Sequence, residues 1–323
     1  MQTSVHHEGS RAYAACEALA RSHYENFPVA SRLLPAAMRP HIAAVYAFAR
    51  VADDIADEGT VPAAERRARL AAWQQQLHAA AGPAAGASSR ATGSLMCDSG
   101  RVPPSEHERE ALIAAAAAQT IRSLDLPIAL FDDLISAFAQ DTMRDRYASW
   151  AELFDYCRRS ANPVGRLVLR IAGYRDDRLD RMSDAMCTAL QLTNFWQDFG
   201  RDWRAGRLYV PGETRTAAGV SDDDLPAAPL SAAWTTALAQ CVEVTADQFA
   251  RGRGVCDAVR GRLRYELRFT WLGGMRILAR VDRRRRDLFD YRPTLGAADL
   301  PAILWRAAVW TQARYAAPNE NVV

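Results

Sequence analysis

The chain has no lysine: all 40 of its basic residues are arginine. Schiff-base chemistry on a lysine and a phosphate loop with its lysine are therefore excluded, and any bound anion must be held by guanidinium groups. Cysteine is sparse. Cys16, Cys97, Cys157, Cys187, Cys241 and Cys256 are scattered without a C-x-x-C pair, so neither a disulfide framework nor a clustered zinc site is expected, and a reducing, cytoplasmic setting fits. No His-Glu-x-x-His or Glu-x-x-His occurs, which disfavours zinc hydrolases and di-iron bundles. The net charge of +2 carries no polyanion footprint, so nucleic acid is not an expected partner. No apolar run reaches the length of a membrane span, and residues 1–10 lack the pattern of a signal peptide.

What is present is apolar residues at helical spacing, as in Ile42, Val45, Tyr46 and Ala49, and alanine-rich stretches such as Ala111 to Ala118. Long alternating strand patterns are missing. The expected fold is all-α and a single domain: a flexible N-terminus at 1–14, a helical domain over 15–290 and a partly helical C-terminal extension at 291–323. Between Ala80 and Pro104 the apolar period gives way to Gly, Ala, Ser and Pro, which predicts a flexible surface insertion.

Two aspartate clusters carry the chemistry. In the first, Asp53 and Asp57 share one helix face with Arg50 on the preceding turn and Asp54 beside them. Like charges so stacked repel, which leaves two readings: a solvated acidic face, or a face built for a hard divalent cation. In the second, Gln191, Asn194, Asp198 and Asp202 form a polar stripe in the company of Leu192, Phe195, Trp196 and Phe199. Arg201, Arg204, Arg207 and Tyr209 follow, with donors suited to phosphate oxygens. Two acidic stripes with arginines describe a magnesium–diphosphate site, in which the ion assists departure of the diphosphate.

Other charged groups read as structural. Asp141 to Asp145 repeats the spacing of the first cluster but alternates in sign with Arg144 and Arg146, as a solvated helix face does. Asp132-Asp133, Asp176-Asp177, Asp222 to Asp224 and Arg283 to Arg286 have no partner motif, and the arginine run reads as a solvated helix end before it reads as an anionic-lipid contact.

The two clusters, with His23-Tyr24-Glu25-Asn26-Phe27, Tyr46 to Arg50 and Glu152 to Cys157, resemble the squalene/phytoene synthase family over roughly residues 15 to 290. The resemblance implies a terpenoid synthase helical fold with a central active-site cavity and two or three Mg²⁺ ions. Within the family, His23 to Leu34 and Ser160 to Leu169 are most similar to the hydroxysqualene synthase branch of bacterial hopanoid biosynthesis. Where other branches tend to read Val-Ala-Gly-x-Val-Gly, this chain has Ser160-Ala161-Asn162-Pro163-Val164-Gly165.

That branch implies conversion of presqualene diphosphate and water to hydroxysqualene and diphosphate, without a nicotinamide cofactor. The implied roles are metal binding by Asp53, Asp57, Asn194, Asp198 and Asp202, and diphosphate binding by His23, Arg50, Gln191, Arg207 and Tyr209. Tyr156 joins the four aspartates as catalytic, and Phe27, Tyr46, Phe48 and Phe195 are candidates for a cation-stabilising prenyl pocket, with core packing as the alternative for each. Condensation of two prenyl diphosphates by a full squalene or phytoene synthase stands as the alternative reaction, and a non-catalytic assembly protein as the alternative class. A presqualene diphosphate synthase and a squalene-forming oxidoreductase are the pathway partners this implies. The oily product makes association with the inner membrane an expectation from chemistry alone.

Overall fold

A computed structural model describes residues 2–22, 34–57, 60–82, 105–220 and 227–310. Among them there is no strand, only an isolated parallel bridge between Arg146 and Leu208, as expected of an all-α chain. His23, Phe27 and the 83–104 stretch of the expected insertion lie outside the described residues. The helices divide into two compact units.

The first unit holds α1 (Gln2–Ser22), α2 (Arg39–Asp57), α3 (Ala63–Ala81), α4 (Glu106–Leu124) and α5 (Ala129–Asp141). Since α1 begins at Gln2, residues 2–14, expected to be a flexible start, are helical. Small residues set the spacing: α2 turns Ala43, Ala44, Ala47 and Ala52 inward, which lets α1 and α4 approach its backbone. The Tyr13 hydroxyl lies 2.9 Å from the Thr120 hydroxyl, which is 3.0 Å from His41 Nδ1, tying α1, α2 and α4 together. Ser105 and Glu108 close a reciprocal capping box that starts α4. Asp132, read from sequence as an unpartnered surface charge, accepts from Gln74 (2.6 Å) and meets His78 (2.7 Å), and so pins α5 to α3.

The second unit is built around α8 (Asp177–Gln197), which packs against α6 (Trp150–Ser160), α7 (Asn162–Ile171), α11 (Ala232–Gly252) and α13 (Gly261–Arg283). Asp176 is the N-cap of α8, accepting from the Arg178 and Leu179 amides at 2.7 and 3.0 Å. The α7–α8 contact carries two bidentate pairs, Arg166 on Asp184 and Arg170 on Asp180. A Cβ on Gly165 would come within 2.4 Å of Ser183 Oγ, so only glycine permits this approach of α7 to α8. Buried Trp196 donates to Thr245 Oγ1 at 2.8 Å and fixes α11 against the far end of α8.

Candidate active site

On α2 the inward alanines and Phe48 leave Tyr46, Arg50, Asp53, Asp54 and Asp57 on the other faces. Arg50 donates to Asp53 at 3.1 Å and to Asp54 at 2.6 Å, and its Nε is buried without an acceptor. Asp54 and Asp57 stand in the last turn of α2, where the helix dipole is negative and the turn itself carries no basic residue. This placement is electrostatically costly, since both the dipole and the neighbouring carboxylates disfavour further negative charge. Arg66 of α3 donates to the Ala56 carbonyl and relieves one orphan acceptor of that terminus.

Tyr46 is half-buried on the same side as Arg50. Burial chiefly raises its hydroxyl pKa, Asp53 and Asp54 add to the rise, and Arg50 opposes it. Phe48 has a different setting: fully buried, it stacks on Trp73 (centroids 5.1 Å apart) and meets Phe131 edge-on at 5.4 Å. Of the two roles weighed for this ring, core packing is the one its surroundings fit, because no face is left for a ligand.

The second cluster is not the continuous helical stripe expected. α8 ends at Gln197, Asp198 forms a one-residue joint, and a short helix, α9 (Phe199–Arg204), carries Asp202. The four-residue rhythm survives the joint because the Asp198 amide donates to Asn194 O at 2.8 Å and the Asp202 amide to Asp198 O at 2.9 Å. Asn194 is exposed and Gln191 partly so.

Arginines from elsewhere hold both aspartates of this segment. Arg207 donates to Asp202 Oδ1 at 3.3 Å, while Arg292 makes a bidentate pair with Asp198 and has its pKa raised chiefly by that hydrogen bond. Arg201 is farther from Asp198, at 3.8 Å. Arg204, grouped in sequence with the phosphate-binding arginines, instead donates to the Phe289 carbonyl at 2.9 Å and to Asp290. It fastens the segment that delivers Arg292. Gly200 makes that delivery sterically feasible, because a Cβ there would stand 1.9 Å from the Phe289 carbonyl oxygen. Gln197 adds a hydrogen bond to the Pro293 carbonyl at 2.5 Å.

The same unit holds an aromatic cluster. Phe195 and Tyr209 stack with centroids 3.7 Å apart, and Tyr156 stands 6.2 and 6.4 Å from them. Tyr147 completes the group, 5.6 Å from Tyr156 and 5.8 Å from Tyr209. Backbone bonds align its segment with the second motif's exit, from the Leu208 amide to Asp145 O (2.8 Å) and from the Gly212 amide to Tyr147 O (2.9 Å). The stretch from Asp141 to Asp145 is thus not a continuous solvated helix face: α5 stops at Asp141, and the backbone from Asp145 onward pairs beside Leu208.

Three sequence-chosen residues, Tyr156, Phe195 and Tyr209, therefore come together, and Asp202 with Arg207 adjoins Tyr209 in the chain. Sequence reasoning missed Tyr147, Gly200 and Arg292. For Arg292 the sole signal was an arginine between Tyr291 and Pro293 in a loop, which names no partner.

Among the described residues, no group of three or more His, Cys, Asp or Glu side chains forms a ready metal cage. The two clusters offer hard oxygen donors in small numbers, the kind of set Mg²⁺ uses when substrate phosphates and waters supply its other ligands, so the residues fit that ion. The described cysteines are free and poorly suited to thiolate chemistry: burial pushes Cys187 up to about 12 and raises Cys157 further.

The squalene/phytoene synthase family model matches residues 20–299. The chain belongs to that family. This family member is an isoprenoid synthase, all-helical among its described residues: it aligns with the crystal structure of squalene synthase HpnC from Alicyclobacillus acidocaldarius at 36% identity and a TM-score of 0.73, over 85% of this chain and 95% of that one. A dehydrosqualene synthase structure shares the fold at 20% identity and a TM-score of 0.76, over 94% and 98% of the two chains. Among curated family members, the hydroxysqualene synthase of Zymomonas mobilis is 39% identical over 62% of this chain and 59% of its own length. That of Sinorhizobium fredii is 33% identical over 75% of this chain and 74% of its own.

Proposed function

We propose that this family member converts presqualene diphosphate and water to hydroxysqualene and diphosphate. The observation that carries the reading is the similarity to several proteins named hydroxysqualene synthase, at 39%, 33% and 32% identity. Asp53, Asp57, Asn194, Asp198 and Asp202 would hold two or three Mg²⁺ ions, which when bound draw electron density from the departing diphosphate oxygens.

The chain's own residues do the rest. Arg50 and Arg207 bind diphosphate oxygens, with Gln191 and the Tyr209 hydroxyl as neutral donors. His23 is given the same role by resemblance. Arg50, Arg207 and Arg292 already neutralise the aspartates, so the acidic residues are held in place before an anion arrives, without the full mutual repulsion of bare carboxylates. The faces of Tyr156, Phe195 and Tyr209 stabilise positive charge on the prenyl skeleton without offering a strong nucleophile, and their packing keeps bulk water from intercepting it early. Tyr46 and Phe27 are given a place in the prenyl pocket by resemblance.

A second reading is condensation of two prenyl diphosphates, favoured by the 32% identical phytoene synthase of Cereibacter sphaeroides and by the squalene synthase title of the HpnC structure. Purified protein with magnesium, offered presqualene diphosphate or farnesyl diphosphate separately, with and without reduced nicotinamide, decides between them. The first reading expects diphosphate and hydroxysqualene from presqualene diphosphate alone. Consumption of farnesyl diphosphate would replace it with the second, and inactivity of folded protein toward both would leave an assembly protein. The first reading also places an enzyme that makes presqualene diphosphate upstream and an oxidoreductase that forms squalene downstream.

A further inference from the structure

The C-terminal helix of the described chain, α14 (Leu300–Ala308), has the sequence LPAILWRAA and no acidic residue. It packs on α13 through Ile303 and Ala307. At 100° per residue the direction opposite those two falls at Trp305, and Leu304 stands on the flank between it and the buried side. An ordinary surface helix is polar there. Here Trp305 is 68% exposed, Leu304 55% and Leu300 46%, and Val309 and Leu295 extend the apolar surface on either side.

Beside this face runs a groove of 360 Å³ between α13 and α14. Its floor is apolar, including Trp271, Leu272, Met275 and Ile303, and its rim carries Arg276, Arg283 and Arg306. The rim charges differ in their engagement. Arg276 and Arg280 both bind Asp299, whose carboxyl is drawn down to about 2 by the Gly296 amide and these two guanidiniums. Arg284 and Arg285 pair with Asp287 and Asp282. Arg283 and Arg306 are exposed and form no ion pair among the described residues. The local acidic groups are thus consumed by other arginines, and the apolar face is bordered by net positive charge.

We propose that α14 and its groove dock this protein on an anionic lipid bilayer. Trp305 and Leu304 enter the headgroup boundary, where the amphipathic indole is favoured, and Arg283 and Arg306 meet lipid phosphates. An apolar face with a cationic border matches both layers of such a surface, whereas a soluble partner would need only one of them. Among the described residues no helix is long and apolar enough to cross a membrane, so the contact is peripheral. The proposal rests on α13 and α14 and does not depend on the reaction assigned above.

The test is flotation of the full chain with vesicles of phosphatidylcholine alone or mixed with phosphatidylglycerol, combined with light scattering of the protein without lipid. Binding is expected on the mixed vesicles and to weaken with salt. The double variant Leu304→Glu/Trp305→Glu should lose at least about tenfold in partitioning, and Arg283→Gln and Arg306→Gln about fivefold each. Circular dichroism must match the parent; a double variant that misfolds leaves the two single arginine variants as the decisive pair. Absence of flotation, or flotation unchanged in those variants, overturns the proposal. So does a dimer that the glutamate variants dissociate while flotation stays the same, which would assign the face to a second copy.

Discussion

The two acidic segments solve one electrostatic problem in opposite ways. On α2 the carboxylates are substantially exposed, Asp53 at 41%, and their counter-charge is Arg50, three and four residues away on the same helix. At the α8–α9 joint Asp198 and Asp202 are only 16% and 13% exposed, and Asp198 takes its bidentate partner from Arg292, ninety-four positions along the chain. Exposure decides the difference. Water screens the first set, so local counter-charge serves it, whereas buried carboxylates need direct charge-assisted donors wherever the fold can supply them.

The largest expected effect tests what the segments share. Asp53→Ala and Asp198→Ala should each lower kcat by about 10²–10³-fold or more, of the order seen when a principal stabiliser of developing negative charge is lost, with helicity retained. Steady-state diphosphate release with magnesium checks this, and near-normal turnover in either would remove that residue from the metal site.

The next pair sharpens the contrast. Arg292→Ala leaves Asp198 partly buried and loosens the 289–293 segment, so urea titration should show about 1–3 kcal/mol lost. Arg50→Ala, whose partners Asp53 and Asp54 are 41% and 51% exposed, should cost under about 1 kcal/mol while still impairing diphosphate binding. Equal stability losses would abolish the distinction between local and long-range counter-charge. Gly200→Ala probes the same segment through sterics. The clash with Phe289 must be relieved by backbone movement, at about 1–3 kcal/mol by the same titration, and activity should fall with the displacement of Arg292.

A further effect lies outside both segments and is confined to stability. Glu266 on α13 is buried, its Oε2 has no hydrogen-bond partner, and desolvation lifts its pKa to about 7 from an ordinary 4.5. Because the folded value is the higher one, this carboxyl's contribution to stability is greatest below about pH 4.5 and declines until about pH 7, above which both states are ionised. Glu266→Gln should therefore flatten the pH 5–7 dependence and stabilise the protein by about 2 kcal/mol at pH 8, read from thermal melts across that range. Unlike the paired aspartates, this carboxylate gains nothing from ionising in place.

Much of this was legible in order of locality. Helical periodicity gave the all-α class, and Arg50 with Asp53, Asp54 and Asp57 could be grouped from spacing alone, because residues three and four apart meet on any helix. Phe48 could not be separated from Tyr46 in the same way. Both have aromatic character and helical spacing, and only the neighbours Trp73 and Phe131 make one of them core. The decoys at Asp132 and Asp176 look like surface charge in sequence, yet one ties two helices and the other starts a third.

By itself, then, the sequence determined the chemistry available: arginine as the only strong cation, carboxylates in two clusters, aromatic residues near the second, and no alternative ligand motif. Those are matters of composition and short-range spacing, which backbone geometry converts directly into shared faces. Tertiary structure alone decided the break at Asp198, its pairing with Arg292, the glycine clearance at Gly200 and the gathering of Tyr147 with Tyr156, Phe195 and Tyr209. Each depends on contact between segments far apart in sequence, and the free energy of such contacts comes from burial and complementarity that no local pattern encodes.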